Sequence, residues 1–315
     1  EGVTPRLRCV VDELIVNDQH CVLGVKARTG YRFGRENSGK TVYIRATKGV
    51  LLASGGFAQN VQMRTSHDPR LTAEFTSTNH PGATGDGILL AEKIGAATVD
   101  MKQIQAHPTA APNGTLISES VRGDGAILVN ADGKRFTNEM GSSVDRTNAV
   151  FDALRREHDL IAIADARAVR HPRSGIFTEE DVKTLVARGY VTEFETLESL
   201  ADELEMPLES LRQEIAAYSQ SVLKGDLYDR MGRRIEKGAE PMGEAPWYAA
   251  PLTAKVLSCS GGIAIDLRAR VLSVEDDQPI PHLYAAGEIT GGLHGVGYLG
   301  SCGLLDALVF GRIAG

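Results

Sequence analysis

The sequence predicts a mixed α/β protein in which a β-rich, nucleotide-type domain is interrupted by a second, inserted domain. Apolar strand-like segments dominate the start of the chain, whereas residues 102–256 are more polar and richer in helix-forming patterns. Strand character then returns, and the chain ends in an apolar strand, a glycine-rich loop and a helix between Leu283 and Gly315. We therefore expect residues 1–101 and 257–315 to form one discontinuous domain around the inserted one.

The first elements follow from alternating apolar runs and turn signals. The runs RCVVDELIV, CVLGVKA and TVYIRA are separated by NDQH and GRENSGK, which predicts an antiparallel meander. The next segment, KGVLLASGGFAQN, predicts a short strand that ends at Ser54-Gly55-Gly56. A helix is expected from Ile88 to Ile94, because Gly95 marks its end and Asp86 suits its start. In the inserted segment, Thr192–Leu223 shows helical patterning.

The closing segment is expected to bind an electron-rich group. Glycine is the commonest residue between Gly287 and Gly303, so the backbone can approach a bound molecule closely and adopt positive φ. The loop leads into a helix from Leu304 to Ile313, whose first turn presents unpaired N–H groups and a partial positive charge. Phosphate or another electron-rich group suits that position. A long structural turn is the alternative interpretation.

The inserted segment carries three polar clusters. Pro108 holds His107 extended, so its imidazole could donate to a substrate oxygen, with a satisfied structural histidine as the alternative. Glu119 and Arg122 could pair along a cleft, or form a surface ion pair worth about 0–1 kcal/mol. The third cluster, with RFTNE followed by DRT, predicts by itself a solvated charged face.

Composition limits the class of protein. The net charge of −7 argues against a nucleic-acid partner, and no apolar run is long enough to span a bilayer. The four cysteines form neither a disulfide pattern nor a zinc-like spacing, so we expect no metal site. The same observation favours a reducing compartment such as the cytoplasm, with a periplasmic location as the alternative. The cysteines are Cys9, Cys21, Cys259 and Cys302.

The motifs, in their order along the chain, resemble those of the fumarate reductase/succinate dehydrogenase flavoprotein family, and most closely its soluble single-subunit fumarate reductases. They are ASGGF, TNHPGATGDG, QAHPT, SESVRGDGA, GKRFTNE, GGIAID, LYAAGEITGG and LVFGRIAG. The resemblance covers nearly the whole chain and implies an FAD-binding Rossmann-like domain interrupted by a capping domain. The family's first βαβ unit, with its G-x-G-x-x-G loop, does not occur in this sequence. Together with the strand-like first residues, this favours an excised piece of a longer protein.

The resemblance also implies roles for individual residues. In the family, hydride passes between flavin N5 and one alkene carbon, while an arginine delivers a proton to the other carbon. Arg146 is the best match to that arginine, although two additional residues separate it from the Asn-Glu pair of GKRFTNE compared with the commonest spacing. Glu119 and Arg122 fall on the positions that return a proton to it. His107 and Ser118 fall on positions that hold the far carboxylate or carbonyl of the substrate. The FAD site is expected to include Ser54, Gly55, Gly56, Asp86, Glu288, Cys302, Gly303, Leu304 and Leu305.

Two positions depart from the fumarate reductase pattern. The family clamps the second carboxylate with a histidine and an arginine, where this chain has Ser258 and Tyr298. Two lost charge-assisted contacts, at about 1.5–3 kcal/mol each, would weaken dicarboxylate binding by roughly 10²- to 10⁴-fold. We expect Ser258, Tyr298 and Ser301 to bind a substrate with a neutral phenolic, aromatic or carbonyl end, so fumarate is a poor candidate.

The expected function is an FAD-dependent oxidoreductase acting on a CH–CH/C=C bond next to a carboxylate or carbonyl of a small-molecule substrate. One alternative is a dehydrogenase similar to the 3-ketosteroid Δ1-dehydrogenases, which use a tyrosine at the position of Tyr298 to polarise a ketone. A non-catalytic flavin-binding relative is the other. The resemblance further implies an electron donor or acceptor linked to haem, FMN or quinone.

Overall fold

The computed structural model describes residues 4–111, 119–156, 159–170, 179–296, 299 and 301–315, without the side chains of Glu119, Ser120 and Arg170. The chain divides into two compact units. The first unit comprises residues 1–74, 79–105 and 257–315, and the second comprises residues 75–78 and 106–256.

Strands and helices alternate irregularly along the chain. The strands are β1 (Cys9–Val16), β2 (Val22–Thr29), β3 (Lys40–Arg45), β4 (Val50–Leu52), β5 (Thr98–Val99), β6 (Ile104–Ala110), β7 (Ile127–Asn130), β8 (Leu160–Asp165), β9 (Thr192–Phe194), β10 (Trp247–Cys259), β11 (Gly262–Ile263), β12 (Arg270–Leu272) and β13 (Pro279–Ala285). The helices are α1 (Val61–His67), α2 (Asp86–Glu92), α3 (Glu119–Gly123), α4 (Ser143–Leu154), α5 (Ala166–Arg170), α6 (Glu179–Ala187), α7 (Leu197–Glu203), α8 (Leu208–Lys224) and α9 (Cys302–Ala314). No helix among these described residues is long and apolar enough to cross a bilayer.

The described residues of the first unit form three small sheets. Strands β1, β2 and β3 form the antiparallel meander that the sequence predicts. In a second sheet, β13 pairs with β12 on one side and runs parallel to β4 on the other. The third sheet is the short pair β5–β11. The parallel pairing brings the loops that follow β4 and β13 to the same sheet edge, because parallel strands end on the same side.

Helix α2 begins at Asp86 and ends at Glu92, so it starts and stops two residues earlier than the sequence predicts. Gly85 precedes it with φ +71, and a Cβ there would lie 2.7 Å from both Met63 and Phe57. Glycine is therefore needed for the conformation and for the packing. Asp86 occupies the first turn, as expected for a carboxylate at the positive end of a helix.

The second unit is built around a sheet that the sequence analysis missed. Its strand order is β6–β10–β8–β7, with β9 also paired to β10. The prediction of a helix-rich segment is confirmed by helices α3 to α8, but it omitted the sheet, whose strands β7 and β8 are buried along almost their whole length. Such strands lack the polar alternation that distinguishes a half-buried strand. Strand β10 begins at Trp247, well before the predicted return of strand character.

The helical prediction for Thr192–Leu223 is correct only in part. Its first residues form β9, which pairs with Trp247–Ala249 of β10. Helices α7 and α8 occupy most of the remainder, and Thr196 begins α7 with a capping box to Ser199. Leu200 and Leu211 are fully buried in the core of the second unit, which fixes both helices against the sheet.

Candidate functional site

The first unit fixes one carboxylate with its backbone. Glu288 follows β13, and its Oε1 accepts the backbone N–H of Cys259 at 3.0 Å. The backbone of Gly56, in the loop after β4, makes a second hydrogen bond to the same side chain. A Cβ at Gly56 would lie 3.1 Å from the carboxyl group of Glu288, so this approach favours glycine. Burial raises the pKa of Glu288, and the two hydrogen bonds oppose that rise.

The glycine loop beside this carboxylate leaves room for a ligand. Gly55 has φ +83, and a Cβ there would meet nothing within 4 Å. The side chain of Ser54 lies close to α2, because its Oγ would be 2.2 Å from a Cβ at Gly87. The loop therefore packs against α2 at Ser54, while Gly55 has open space beside it. Asp86 makes a local contact, accepting the N–H of Gly87 at 3.0 Å.

The start of α9 has the properties expected beneath a flavin. Ser301 occupies the N-cap with φ +67 and makes no side-chain cap hydrogen bond. Leu304 and Leu305, in the first turn, are exposed. A cleft of about 370 Å³ lies beside this turn and is mostly apolar. It is lined by Leu293, His294, Leu299, Cys302, Leu305, Asp306, Val309 and Phe310.

This part of the first unit fits FAD. A fixed carboxylate suits the hydroxyl groups of the cofactor, and the apolar cleft suits its ring. The uncapped start of a thirteen-residue helix provides a partial positive charge near the cleft. When bound there, FAD would supply the hydride chemistry, and Glu288, Gly55 and the first turn of α9 would hold it.

Sequence reasoning missed a buried contact between a histidine and a carboxyl group beside the same cleft. The Nε2 of His294 lies 3.5 Å from Oδ2 of Asp306, and both side chains are mostly buried. Burial raises the pKa of Asp306, against the opposing effect of His294. His294 lies in the loop after β13 and Asp306 lies in α9, so no local spacing in the sequence signals this contact.

In the second unit, His107 is held as a neutral hydrogen-bond donor. It lies in β6, and its Nδ1 accepts the backbone N–H of Thr109 at 3.3 Å. This contact assigns the proton of the neutral imidazole to Nε2. Burial, followed by the positive charges of Arg122 and Arg146, lowers the pKa of His107 to about 4. His107 therefore stays neutral at physiological pH with Nε2–H available as a donor.

Arg146 lies in the first turn of α4 and is buried. Ser142 caps that helix by accepting the N–H of Asp145 at 3.1 Å. An η nitrogen of Arg146 donates to the carbonyl of Gly141. Thr147 donates its hydroxyl to the carbonyl of Ala106 at 3.0 Å, which attaches α4 to β6 directly before His107. The position of Arg146 near His107 thus follows from a cap and one side-chain contact.

Arg122 is fully buried at the end of α3. It donates from Nη1 to the hydroxyl of Thr109 at 2.6 Å and from Nε to the carbonyl of Glu139 at 3.1 Å. Because Thr109 also donates its N–H to His107, one residue connects the guanidinium and the imidazole. Glu119 is the first residue of the same helix, and its side chain lies outside the described residues.

The remaining predicted substrate residues have different outcomes. Ser118 and Tyr298 lie outside the described residues. Ser258, near the end of β10, donates its hydroxyl to Oε1 of Gln105 at 3.4 Å. Both side chains in this contact are uncharged. The substrate roles of Ser118, Ser258, Tyr298 and Ser301 stay predictions.

One interpretation of the sequence is wrong: the RFTNE run is not a solvated face. Arg135 and Glu139 are completely buried and paired at 2.6 Å. Asp229 and Arg233 join them from another part of the second unit, with side chains at most 2% exposed. The i,i+4 spacing of opposite charges in both segments is the available signal, although the same spacing is common on exposed helices.

Comparison with known proteins assigns the chain to a family. The FAD binding domain family matches residues 1–304. The chain is 34% identical over 325 positions to the acrylate reductase flavoprotein subunit of Shewanella woodyi, covering 99% of this chain and 62% of that protein. It is 39% identical over 280 positions to the NADH:fumarate oxidoreductase of Klebsiella pneumoniae, covering 89% of this chain and 29% of that protein.

Solved structures give the same result. The open conformation of a flavocytochrome c3 fumarate reductase superposes with a TM-score of 0.76 at 32% identity, covering 99% of this chain and 52% of that one. A 3-ketosteroid Δ1-dehydrogenase of Sterolibacterium denitrificans follows with a TM-score of 0.74 at 26% identity, covering 97% of this chain and 58% of that one. The chain thus spans only part of each of these proteins. It belongs to the fumarate reductase/succinate dehydrogenase family of flavoproteins, whose cofactor is FAD.

Proposed function

We propose that the protein containing this chain is an FAD-dependent reductase of a C=C bond conjugated to a carboxylate or carbonyl, and that fumarate is not its preferred substrate. The observation that carries the proposal is the grouping of His107, Arg122 and Arg146 in the second unit. Two arginine charges lie close enough to a neutral histidine to lower its pKa. In such a group, the two guanidinium charges can bind an oxyanion, and the neutral imidazole can donate a hydrogen bond to it. The guanidinium groups also carry the protons that the reaction needs.

Each residue of the group has a chemical role in this proposal. His107 donates from Nε2 to the carboxylate or carbonyl oxygen that activates the double bond. Arg146 transfers a proton to the alkene carbon that does not receive hydride. Arg122, joined to His107 through Thr109, returns a proton toward Arg146 together with Glu119. FAD, when held by the first unit, would supply the hydride.

The substrate class follows from the residues that replace the family's second carboxylate clamp. Ser258 is a neutral hydroxyl that contacts the neutral amide of Gln105, and Tyr298 also carries no charge at neutral pH. Neither compensates the charge of a second carboxylate. We infer a 2-enoate with a neutral far end. The acrylate reductase subunit that resembles this chain is named for a substrate with one carboxylate, which supports the inference.

Anaerobic reoxidation tests this substrate class. The full-length holoenzyme is reduced with dithionite and mixed with acrylate, aryl-substituted 2-enoates or fumarate, while flavin absorbance is followed. We expect a monocarboxylate enoate to reoxidise the flavin 10²- to 10⁴-fold more efficiently than fumarate, at about 1.4 kcal/mol per factor of ten. Fumarate as the best oxidant in the panel would refute the substrate assignment.

A steroid-type dehydrogenase is the second candidate, supported by the structural likeness to a 3-ketosteroid Δ1-dehydrogenase and by the tyrosine at position 298. It would oxidise a ketone-activated CH–CH bond with an artificial acceptor. Tyr298→Phe would then abolish turnover while Arg146→Ala would change it little. The enoate reductase proposal expects the opposite order of effects. Bound flavin that exchanges electrons with no enoate, enone or acceptor would instead indicate a non-catalytic relative.

An electron partner is part of the proposal. The Klebsiella relative is named as an NADH:fumarate oxidoreductase and the solved structure as a flavocytochrome, so the names of the relatives indicate different electron partners. We infer that a donor linked to haem, FMN or quinone reduces the flavin of the full-length protein. Reduction of the purified holoenzyme by reduced viologen but not by NADH would favour such a separate donor.

A further inference from the structure

The second unit contains a buried charge cluster, which we define as Arg135, Glu139, Asp229 and Arg233. Their side chains are between 0 and 2% exposed. Arg135 forms a double hydrogen bond to Glu139, at 2.8 and 2.6 Å, and an ion pair to Asp229 at 2.8 Å. Arg233 lies 3.7 Å from Glu139. Two positive and two negative charges thus balance one another away from water.

The cluster holds Arg122 at two points. Arg233 donates from Nη2 to the carbonyl of Arg122 and from Nη1 to the carbonyl of Ala126 at 3.0 Å. The carbonyl of Glu139 accepts Nε of Arg122 at 3.1 Å. The carboxylate of Glu139 in turn accepts the N–H of Leu128 at 3.1 Å, which fixes that part of the backbone. Both the main chain and the guanidinium of Arg122 therefore depend on cluster residues.

The local fold gives α3 little stability of its own. It has five residues, fewer than an isolated helix needs, so its position comes from tertiary contacts. The cluster is attached in turn to α8, because the guanidinium groups of Arg233 and Arg135 lie 4.7 and 5.8 Å from the ring centre of buried Tyr218. Arg122 is thereby connected to the longest helix of the second unit.

Stability alone is a weak explanation for four buried charges. Apolar side chains of similar volume often stabilise a core as well or better, because they avoid the desolvation of ions. Fixed geometry is a better explanation, since the rate of a proton transfer falls steeply when donor and acceptor are misplaced. Arginine suits this task because its planar guanidinium places separate nitrogen donors on two carbonyl groups at once, whereas lysine has a single ammonium nitrogen on a flexible stem.

We propose that Arg233 and Glu139 are positioning residues that hold the relay arginine, Arg122, in the orientation needed for proton return. The inference rests on the proposed function, because Arg122 acts in that reaction. It adds that the cluster acts through Arg122 and contributes to turnover rather than to substrate affinity. If Arg122 were displaced, its positive charge would lower the pKa of His107 less, and that pKa can be measured without substrate.

Arg233→Lys tests the inference in the full-length holoenzyme. The lysine keeps the charge near Glu139, but one ammonium nitrogen replaces the two guanidinium nitrogens that reach the carbonyls of Arg122 and Ala126. We expect kcat with the best enoate to fall about tenfold while KM changes less than twofold, because a proton transfer is completed only in the transition state. The pKa of His107, followed by NMR of histidine-labelled protein, should rise toward its ordinary value. Arg230→Lys is the matched control, since Arg230 lies nearby in sequence, is half exposed and pairs with Glu214 instead.

Glu139→Gln provides a second variant should Arg233→Lys fail to fold, because the amide keeps the size and one acceptor oxygen. We expect the same changes with smaller amplitude. A lower melting temperature with unchanged kcat and unchanged His107 pKa, in either folded variant, would overturn the inference and make the cluster purely structural. A raised His107 pKa in a protein that reduces no enoate would support the positioning of Arg122 while refuting the proposed reaction.

Discussion

The two units treat charged groups in opposite ways. In the first unit, the carboxylate of Glu288 is held by backbone N–H groups, and the helix start beside the apolar cleft has no side-chain cap. In the second unit, arginine side chains dominate: Arg122 and Arg146 lie near a neutral histidine, above a balanced ionic cluster. Backbone groups and glycines suit a cofactor that only needs to be held. Arginines suit a site that binds an anion and moves a proton.

The largest expected effect concerns the second unit. Arg146→Ala removes the proposed proton donor, and general acids contribute roughly 10²- to 10⁴-fold to rate. We expect kcat for enoate reduction to fall by that factor with FAD still bound, measured by steady-state assay and by flavin absorbance. Arg146→Lys is the control and should retain more activity, since it keeps a positive donor. Wild-type turnover by Arg146→Ala would remove this residue from the reaction.

The next effect concerns the first unit and should leave proton transfer intact. Glu288→Ala removes the acceptor for the N–H of Cys259 and for the Gly56 backbone, and an orphaned buried donor costs about 1–3 kcal/mol. We expect FAD affinity to fall about tenfold or more, measured by fluorescence titration of the apoprotein. Glu288→Gln keeps an acceptor oxygen and should lose less. Equal affinity in Glu288→Ala would show that this carboxylate does not serve the cofactor.

A smaller effect is expected in the pH dependence of stability. The folded pKa of His107, about 4, lies below the ordinary value of 6.5, so the unfolded chain binds more protons between those two pH values. The contribution of His107 to the unfolding free energy should therefore decline as pH falls through that window. The unfolding free energies of wild type and His107→Asn, measured by denaturant titration, should differ most above pH 6.5 and converge as the pH falls. Parallel pH profiles would contradict the burial of a neutral imidazole.

The sequence predicted the first unit well, because its signals are local. The meander follows from alternation and turn residues. Both predicted helices occur, and each begins two residues before the predicted start, at Asp86 instead of Ile88 and at Cys302 instead of Leu304. The Gly56–Glu288 contact joins residues far apart in sequence, so its distances could not be predicted from local sequence patterns. The family resemblance nevertheless selected both residues.

The second unit was harder to predict, because its interactions depend on burial. Strand β8 is buried along its whole length and lacks alternation, so the sheet was missed. Arg135 and Glu139 look like any exposed i,i+4 pair until Asp229 and Arg233 arrive from elsewhere in the chain. Charge balance at a buried site is a tertiary property, and no window of sequence contains it.

The most direct test of the account is the titration of His107 itself. NMR of the histidine-labelled, full-length apoprotein should give a pKa of about 4, with the proton of the neutral ring on Nε2. Replacing Arg122 or Arg146 with alanine should raise that pKa toward 6.5, because each removes a positive charge near the ring. A wild-type pKa near 6.5 that neither substitution changes would show that the imidazole and the two arginines do not form one site.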